Sequence, residues 1–551
     1  MKADYVIVGA GSAGCVLANR LTEDPNTRVV LIEAGGRDWN PLIHIPAGFM
    51  KMLDHKTLSW QFRAEACDGR EIIYPRGRVL GGSSSINGLI YIRGQPEDYD
   101  HWAQLGNRGW TWEDCRPFFK KAERWGHGES EVHGTDGFLF TSQMDRSPIC
   151  EKVIEAGMQL GLEYREDVND LPPGAPDSIG WCQQTRGGRR RASTARSYLR
   201  PVLKRPNLQL VTKAMVHRVL FDGKRATGVE FSRGGVIDKA EAACEVILSA
   251  GAIGSPHILQ LSGVGDPEHL AGIGVPVTHE LRGVGKNMQD HYVVRATYPI
   301  HGMSTANERA RGLPLAGEVL RYLITGKGML TYSASLVAAS VKILEESATP
   351  DVQISFAPGS FKDGQIGQLE EEPGLTGGPW QMRPSSRGHV MAKSNRPGDM
   401  PEINPRYLTE ESDRRAIVGG LKFVRRIFTA PALQPYIGQE KLPGAKVQTD
   451  DELLDYAKRN GNTVYHASCT CMMGQHAMAV VDDQLRVHGL EGLRVVDASV
   501  MPYVTNGNIY APVMMTAEKS ADLILGNTPL APEQVEFYRH RPQARAQAGS
   551  A

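Results

Sequence analysis

The chain has 551 residues, with 62 basic and 62 acidic side chains and a formal net charge of +0. That balance leaves no basic excess for a nucleic-acid partner, and no apolar run approaches the ~20 residues of a membrane-spanning helix. A hydrophobic share of 41% is ordinary for globular proteins, and the length suffices for two or more large cores. The first strand begins close to the initiator methionine with no signal peptide ahead of it, and eight cysteines in so long a chain do not form a secreted disulfide framework. A cytoplasmic location is the expectation.

In chain order, Tyr5 to Val8 is an apolar, β-branched run that reads as a buried strand. Gly9, Gly11 and Gly14 follow in the spacing G-x-G-x-x-G, and Cys15 to Leu21 continues with a helical pattern. A second strand, Val29 to Ile32, ends at Glu33, 19 positions after Gly14. Gly9 permits a tight turn, Gly11 lets backbone approach a pyrophosphate, and Gly14 lets helix and strand pack closely. Ser12 and Ala13 open the helix, whose free N–H groups face the phosphates. Glu33, with Ala34 behind it, is placed to bond the ribose hydroxyls of an adenosine. Strand, turn, helix, strand and terminal acid occur in order, which makes this a dinucleotide site rather than an ordinary glycine turn.

Residues 37–75 are rich in loop signals, and the stretch Gly77-Arg-Val-Leu-Gly-Gly-Ser-Ser-Ser-Ile-Asn-Gly-Leu-Ile-Tyr-Ile-Arg-Gly94 follows. So many small residues cannot fill a core, but they let backbone lie against a flat ligand. Here the sequence resembles the glucose–methanol–choline (GMC) flavin oxidoreductases, whose first signature this stretch matches closely. The resemblance implies that Val79, Gly82, Asn87, Gly88, Leu89 and Ile90 line the flavin and its ribityl chain. Some members carry a flavin-linked histidine where this chain has Ile86. Ile86 offers no nucleophile, so non-covalent FAD is expected.

Residues 96–150 contain four tryptophans that read as the packing of peripheral helices, and His133 reads as structural. The arginine-rich run from Gly187 to Leu199 lacks the aromatic platform of an RNA site and reads as structural too. Met215 to Phe221 and Thr227 to Phe231 flank Asp222-Gly223 as a hairpin. By resemblance, Val216 contributes a backbone contact to the adenine. The strand Glu245 to Ser249 leads into Ala250–Gly265, the second GMC signature, in which His257 reads as a packing residue. From about 291 to 462 the glycine motifs thin out, Asp413 to Phe428 has a helical period, and the segment resembles the GMC substrate domain.

The last hundred residues hold Tyr465-His-Ala-Ser-Cys-Thr-Cys471, Asp497-Ala498 and Gly507-Asn-Ile-Tyr510. A metal site at His466, Cys469 and Cys471 lacks the paired motif that zinc needs, so no metal is expected. The resemblance implies that His466 accepts the substrate hydroxyl proton, a role suited to a group that titrates near neutrality. It also implies that Tyr465, Asp497, Ala498, Asn508 and Ile509 contact the cofactor. Relatives place a histidine or asparagine where this chain has Tyr510. Tyr510 is therefore expected to position the substrate oxygen and narrow the pocket, leaving His466 as sole base; the alternative is that it points away and another residue substitutes. The polar tail at 531–551 reads as loose.

The resulting expectation is an α/β protein. It has a Rossmann-type FAD-binding domain (1–150, 190–290 and 463–530) and a second, α+β substrate-binding domain (151–189 and 291–462). The expected reaction is oxidation of a primary alcohol to the aldehyde by hydride transfer to flavin N5, with O₂ or a quinone-type acceptor regenerating the flavin. Choline would need an aromatic or anionic pocket for its head group, and none is identifiable from sequence. A lyase or decarboxylase on the same scaffold, and an FAD-binding protein without turnover, stay open as alternatives. The oligomeric state is left open.

Overall fold

The computed structural model describes residues 1–128, 130–362 and 367–533. From residue 534 onward, the tail expected to be loose lies outside the described residues. Two sheets carry the architecture. The first is built from β1 (Lys2–Val8), β2 (Val29–Glu33), β3 (Leu208–Thr212), β4 (Ala214–Asp222), β5 (Arg225–Arg233), β6 (Val236–Leu248) and β7 (Leu493–Val495). Its order is β3-β2-β1-β6-β5-β4, with β7 added beside β6. β3, β2, β1, β6 and β7 run parallel, whereas β6, β5 and β4 form an antiparallel meander. All five residues of β2 are buried, as expected for a parallel strand covered on both faces.

Helix α1 (Ser12–Leu21) follows β1, α2 (Gly251–Leu261) follows β6, and α3 (Tyr510–Leu525) closes the described fold. α1 and α3 are locked together by Glu518. Its fully buried carboxylate accepts from the Arg20 Nε at 2.8 Å and from the Tyr198 hydroxyl at 2.6 Å. A buried charge is tolerated only with such partners.

The second sheet has eight strands. In order they are Asn462–Thr463, Tyr292–Val293, Gly374–Gln381, Val352–Ala357, Val337–Val341, Ser178–Trp181 and Glu163–Arg165, with Ala296–Pro299 also paired to Gly374–Gln381. Helix Glu411–Phe428 presents Ile417, Leu421, Val424 and Phe428 to the core, the spacing of one helical face. The short strand Asn462–Thr463 ends three residues before His466, and the chain then returns to the first sheet at β7.

His133 is structural in its surroundings. It is stacked on Trp125 at 4.0 Å and bonded to Glu123 and Asp167. The arginine-rich run is internal at Arg191, which is fully buried and bonds the carbonyls of Ile43, Ser84 and Asn87. No helix among the described residues is long and apolar enough to cross a membrane.

Candidate active site

A continuous cavity of about 470 Å³ runs from the C-terminal end of β1 and β2 to the second sheet. At the nucleotide end the three glycines have separable roles. Gly9 has φ +99°, and a Cβ there would stand 2.5 Å from the Ser249 carbonyl oxygen. A Cβ on Gly14 would stand 1.9 Å from the Gly9 oxygen. A Cβ on Gly11 would meet nothing nearer than 3.9 Å, and this residue lines the cavity. Gly9 and Gly14 are thus fixed by packing, while the space over Gly11 is left for a ligand.

Glu33 accepts from the Ala10 N–H at 2.9 Å and the Gly35 N–H at 2.7 Å. Burial pushes its carboxyl up to about 7 despite these bonds. Ser12, Ala13, Ala34, Gly82, Asn87, Gly88, Leu89, Ile90, Val216, Tyr465, Ala498, Asn508 and Ile509 all line the same cavity.

The expectation for Val79 needs correction. Val79 does not line the cavity; it is fully buried beneath it, in a small apolar cluster with Ile43, Met52 and Ile86. Asp497 lines the cavity, but its carboxylate is already engaged. It accepts from the Ser255 hydroxyl (2.6 Å), the Gly251 N–H (2.8 Å) and the Ser499 hydroxyl and N–H (2.6 and 2.8 Å). It ties the start of α2 to the turn after β7.

At the other end, the hydrogen-bond network of His466 determines its tautomer. The Met382 carbonyl lies 3.0 Å from His291 Nε2, and a carbonyl can only accept, so His291 carries its proton on Nε2. Burial holds His291 down at about 3, so the ring is neutral and its Nδ1 is an acceptor. That Nδ1 lies 2.9 Å from His466 Nδ1, which must therefore be the donor. His466 Nε2 is left as an acceptor on the cavity wall, where it takes a hydrogen bond from the Asn508 side-chain N–H at 3.1 Å. Burial, with His291 and Arg76 close by, holds His466 well below the ordinary histidine range, so it is neutral at pH 7.

The backbone around His466 is held by Asp290. This buried carboxylate accepts from the His466 N–H (2.7 Å), the Tyr74 hydroxyl (2.7 Å), the Thr463 hydroxyl (2.6 Å) and the Tyr407 hydroxyl. Tyr465, immediately before His466, adopts φ +67°, a left-handed conformation that is costly for a tyrosine and is kept by these surroundings.

Asn508, not Tyr510, stands against His466. Tyr510 opens α3 with its ring buried, and its hydroxyl lies among Ser84, Cys15, Tyr91 and Arg191. The helix start rotates residue 510 toward α1, and residue 508, in the turn before it, faces the imidazole. His291 and Asp290 escaped the sequence reading. The available signal was Gln289-Asp-His291, three hydrogen-bonding side chains in a row directly ahead of an apolar strand.

Comparison with known proteins agrees with this geometry. Residues 3–293 match the N-terminal GMC oxidoreductase family description and residues 384–517 the C-terminal one. The chain belongs to the GMC oxidoreductase family. It is 40% identical over 560 residues to the mitochondrial choline dehydrogenase of Homo sapiens, covering 98% of this chain and 92% of that protein. It is 39% identical to an alcohol dehydrogenase [acceptor] of Pseudomonas putida, covering 96% of each chain. The solved pyridoxine 4-oxidase from Mesorbium loti superposes with a TM-score of 0.84 at 30% identity, over 96% of this chain and 100% of that one.

FAD is the cofactor of this GMC protein, and the residues present fit it. The open space over Gly11, the N-terminus of α1 and the Glu33 carboxylate suit an adenosine pyrophosphate. The orphaned Asn508 Oδ1, buried on the cavity wall, leaves an acceptor for a polar ligand edge. Ile86 carries no group able to bond the flavin covalently.

Proposed function

We propose that the protein oxidises a primary alcohol to the aldehyde with His466 as the proton acceptor. The observation that carries this reading is the fixed tautomer of His466, which leaves the Nε2 lone pair beside Asn508 on the cavity wall. A substrate hydroxyl displaces the Asn508 amide N–H from that lone pair and donates to it, and the freed N–H bonds the oxygen as negative charge develops on it. Bound FAD supplies the acceptor for the hydride that leaves the carbinol carbon. The hydroxyl proton passes to Nε2, while Nδ1–H stays bonded to His291. Asp290 keeps the imidazole in place while the proton moves.

Electrons leave the enzyme to O₂ or to a quinone-type acceptor; relatives named oxygen-dependent choline dehydrogenase and alcohol dehydrogenase [acceptor] support either route. A cytoplasmic location is supported by eight cysteines that are all unpaired.

The test is anaerobic mixing of the purified yellow holoprotein with a panel of primary alcohols, for wild type and His466→Gln. Bleaching of the flavin band by an alcohol, slowed at least 10³-fold in the variant, is the expected result. Bleaching at equal rates in both proteins would remove His466 from the reaction. An aldehyde product released with the flavin still oxidised would point to a lyase.

A further inference from the structure

The reading above leaves the identity of the alcohol open, and the charges around the cavity narrow it. Two short strands, Tyr292–Val293 and Ala296–Pro299, pair antiparallel with Gly374–Gln381 in the same register, Val293 opposite Trp380 and Ala296 opposite Gly377. Val293 and Arg295, which follow His291 in the chain, both line the cavity that His466 lines. Arg295 acts electrostatically on Tyr465, the residue before His466, and Arg295 and His466 both line the cavity, so a short linear molecule can reach both head groups.

Arg295 is solvent-accessible, with its guanidinium 5.2 Å above the centre of the Phe361 ring. Among the described residues it has no carboxylate partner and no side-chain hydrogen bond. A second arginine, Arg76, lines the same cavity and donates to the Tyr465 carbonyl at 2.7 Å. The acidic residues lining the cavity are Glu33, Asp399 and Asp497. Glu33 belongs to the nucleotide end. Asp399 accepts from the Ser394 hydroxyl and the Arg396 guanidinium, and Asp497 is engaged as described.

Among the described residues no carboxylate on the cavity wall therefore stands free to neutralise a quaternary ammonium group. The Phe361 face that could receive such a cation is already covered by Arg295, and Trp380 packs against His291 at 4.4 Å. A guanidinium with five donors and no partner suits a carboxylate.

We propose that Arg295 is a specificity-determining residue and that the preferred substrate is a primary alcohol bearing a carboxylate, a short ω-hydroxy acid, rather than choline. This rests on the alcohol-oxidising reading of the site. The test compares three alcohols of similar size on the holoenzyme: 4-hydroxybutyrate, neutral 3,3-dimethylbutan-1-ol and cationic choline. Anaerobic flavin reduction gives kcat and KM for each, with wild type and the Arg295→Gln and Arg295→Glu proteins.

In wild type, kcat/KM for 4-hydroxybutyrate should exceed that for choline at least tenfold. Arg295→Gln should lower the anion-to-neutral ratio at least tenfold, chiefly through KM, and Arg295→Glu should reverse the order of anion and cation. A wild-type preference for choline, or an anion-to-neutral ratio unmoved in Arg295→Gln, overturns the proposal. Binding is read separately by titrating the oxidised flavin spectrum with unreactive butyrate. Tenfold weaker binding to Arg295→Gln supports Arg295 as the anion contact even if no alcohol reduces the flavin, an outcome that would sink only the oxidation reading. Equal butyrate binding to both proteins sinks the Arg295 assignment alone.

Discussion

Replacing His291 by phenylalanine keeps a ring of similar size but removes the acceptor for His466 Nδ1–H. In the wild type that acceptor exists because the Met382 carbonyl fixes the His291 proton on the far nitrogen. In the variant, the Nδ1–H form of His466 would bury an unpaired donor, at a cost of about 1–3 kcal/mol. The other tautomer has a partner ready, since Asn508 Oδ1 is unpaired in the wild type and could accept from Nε2–H. That tautomer has no lone pair for the substrate proton. At 1.36 kcal/mol per tenfold, the productive fraction and kcat fall roughly 5- to 150-fold.

The pH profile adds a second readout. His466 must be neutral to act, and burial, His291 and Arg76 hold it well below the ordinary histidine range. Wild-type activity should stay level from neutral pH down into the acid range and fall only as pH drops through that low value. Removing His291 removes one of the depressing influences, so the acid limb moves to higher pH. Anaerobic stopped-flow reduction between pH 5 and pH 9 measures both effects. His291→Gln, which offers an acceptor oxygen, should recover part of kcat. A His291→Phe enzyme with kcat within twofold of wild type and an unmoved acid limb would refute the tautomer argument.

The glycine analysis predicts opposite outcomes for neighbouring substitutions. Gly11→Ala, which meets nothing within 3.9 Å, should leave the apoprotein melting within about 2 °C of wild type while abolishing flavin retention, and Gly14→Ala should not yield folded protein. Thermal melts and flavin absorbance of the purified variants distinguish the two. Glu33, raised to about 7 by burial, binds a proton in the folded apoprotein that the unfolded chain has already released. Apoprotein stability should therefore fall as pH rises from about 4.5 to 7, while FAD affinity rises through the same window because ribose hydroxyls favour the ionised carboxylate. Glu33→Gln should flatten both slopes, as read by melts and flavin titration. Tyr510→Phe should keep kcat within about twofold, because the hydroxyl lies on the α1 side rather than beside His466.

The nucleotide end was legible in the sequence because its constraints are local. Gly9, Gly11, Gly14 and Glu33 act through a turn, a helix start and a strand end within one short stretch, and their spacing alone implies the geometry. His466 could be named from its surrounding motif. Its partners could not, because His291 lies 175 positions away and meets it only when the second sheet closes. Tyr510 misled for a related reason. Its place in the motif suggested the neighbour of His466, but the start of α3 turns residue 510 inward and leaves Asn508 at the imidazole. Val79 sits in a signature dense with ligand-lining residues, and its own side chain packs downward against Ile43 and Met52.

The clasp between α1 and α3 bears on the order of events during synthesis. The ribosome delivers the glycine turn among the first residues, yet α1 is held by Glu518 and β6 is flanked by β7, both near the end of the described chain. A nascent chain of 450 residues has every glycine of the turn and neither His466 nor the closing helix. It exposes the buried faces of α1 and β6, which makes it a client for chaperones rather than a partly working enzyme. Flavin capture is then a late step, which waits for the α3 segment to be made. Truncation even a few turns from the end of α3 should cost the opening nucleotide site as surely as damage within it.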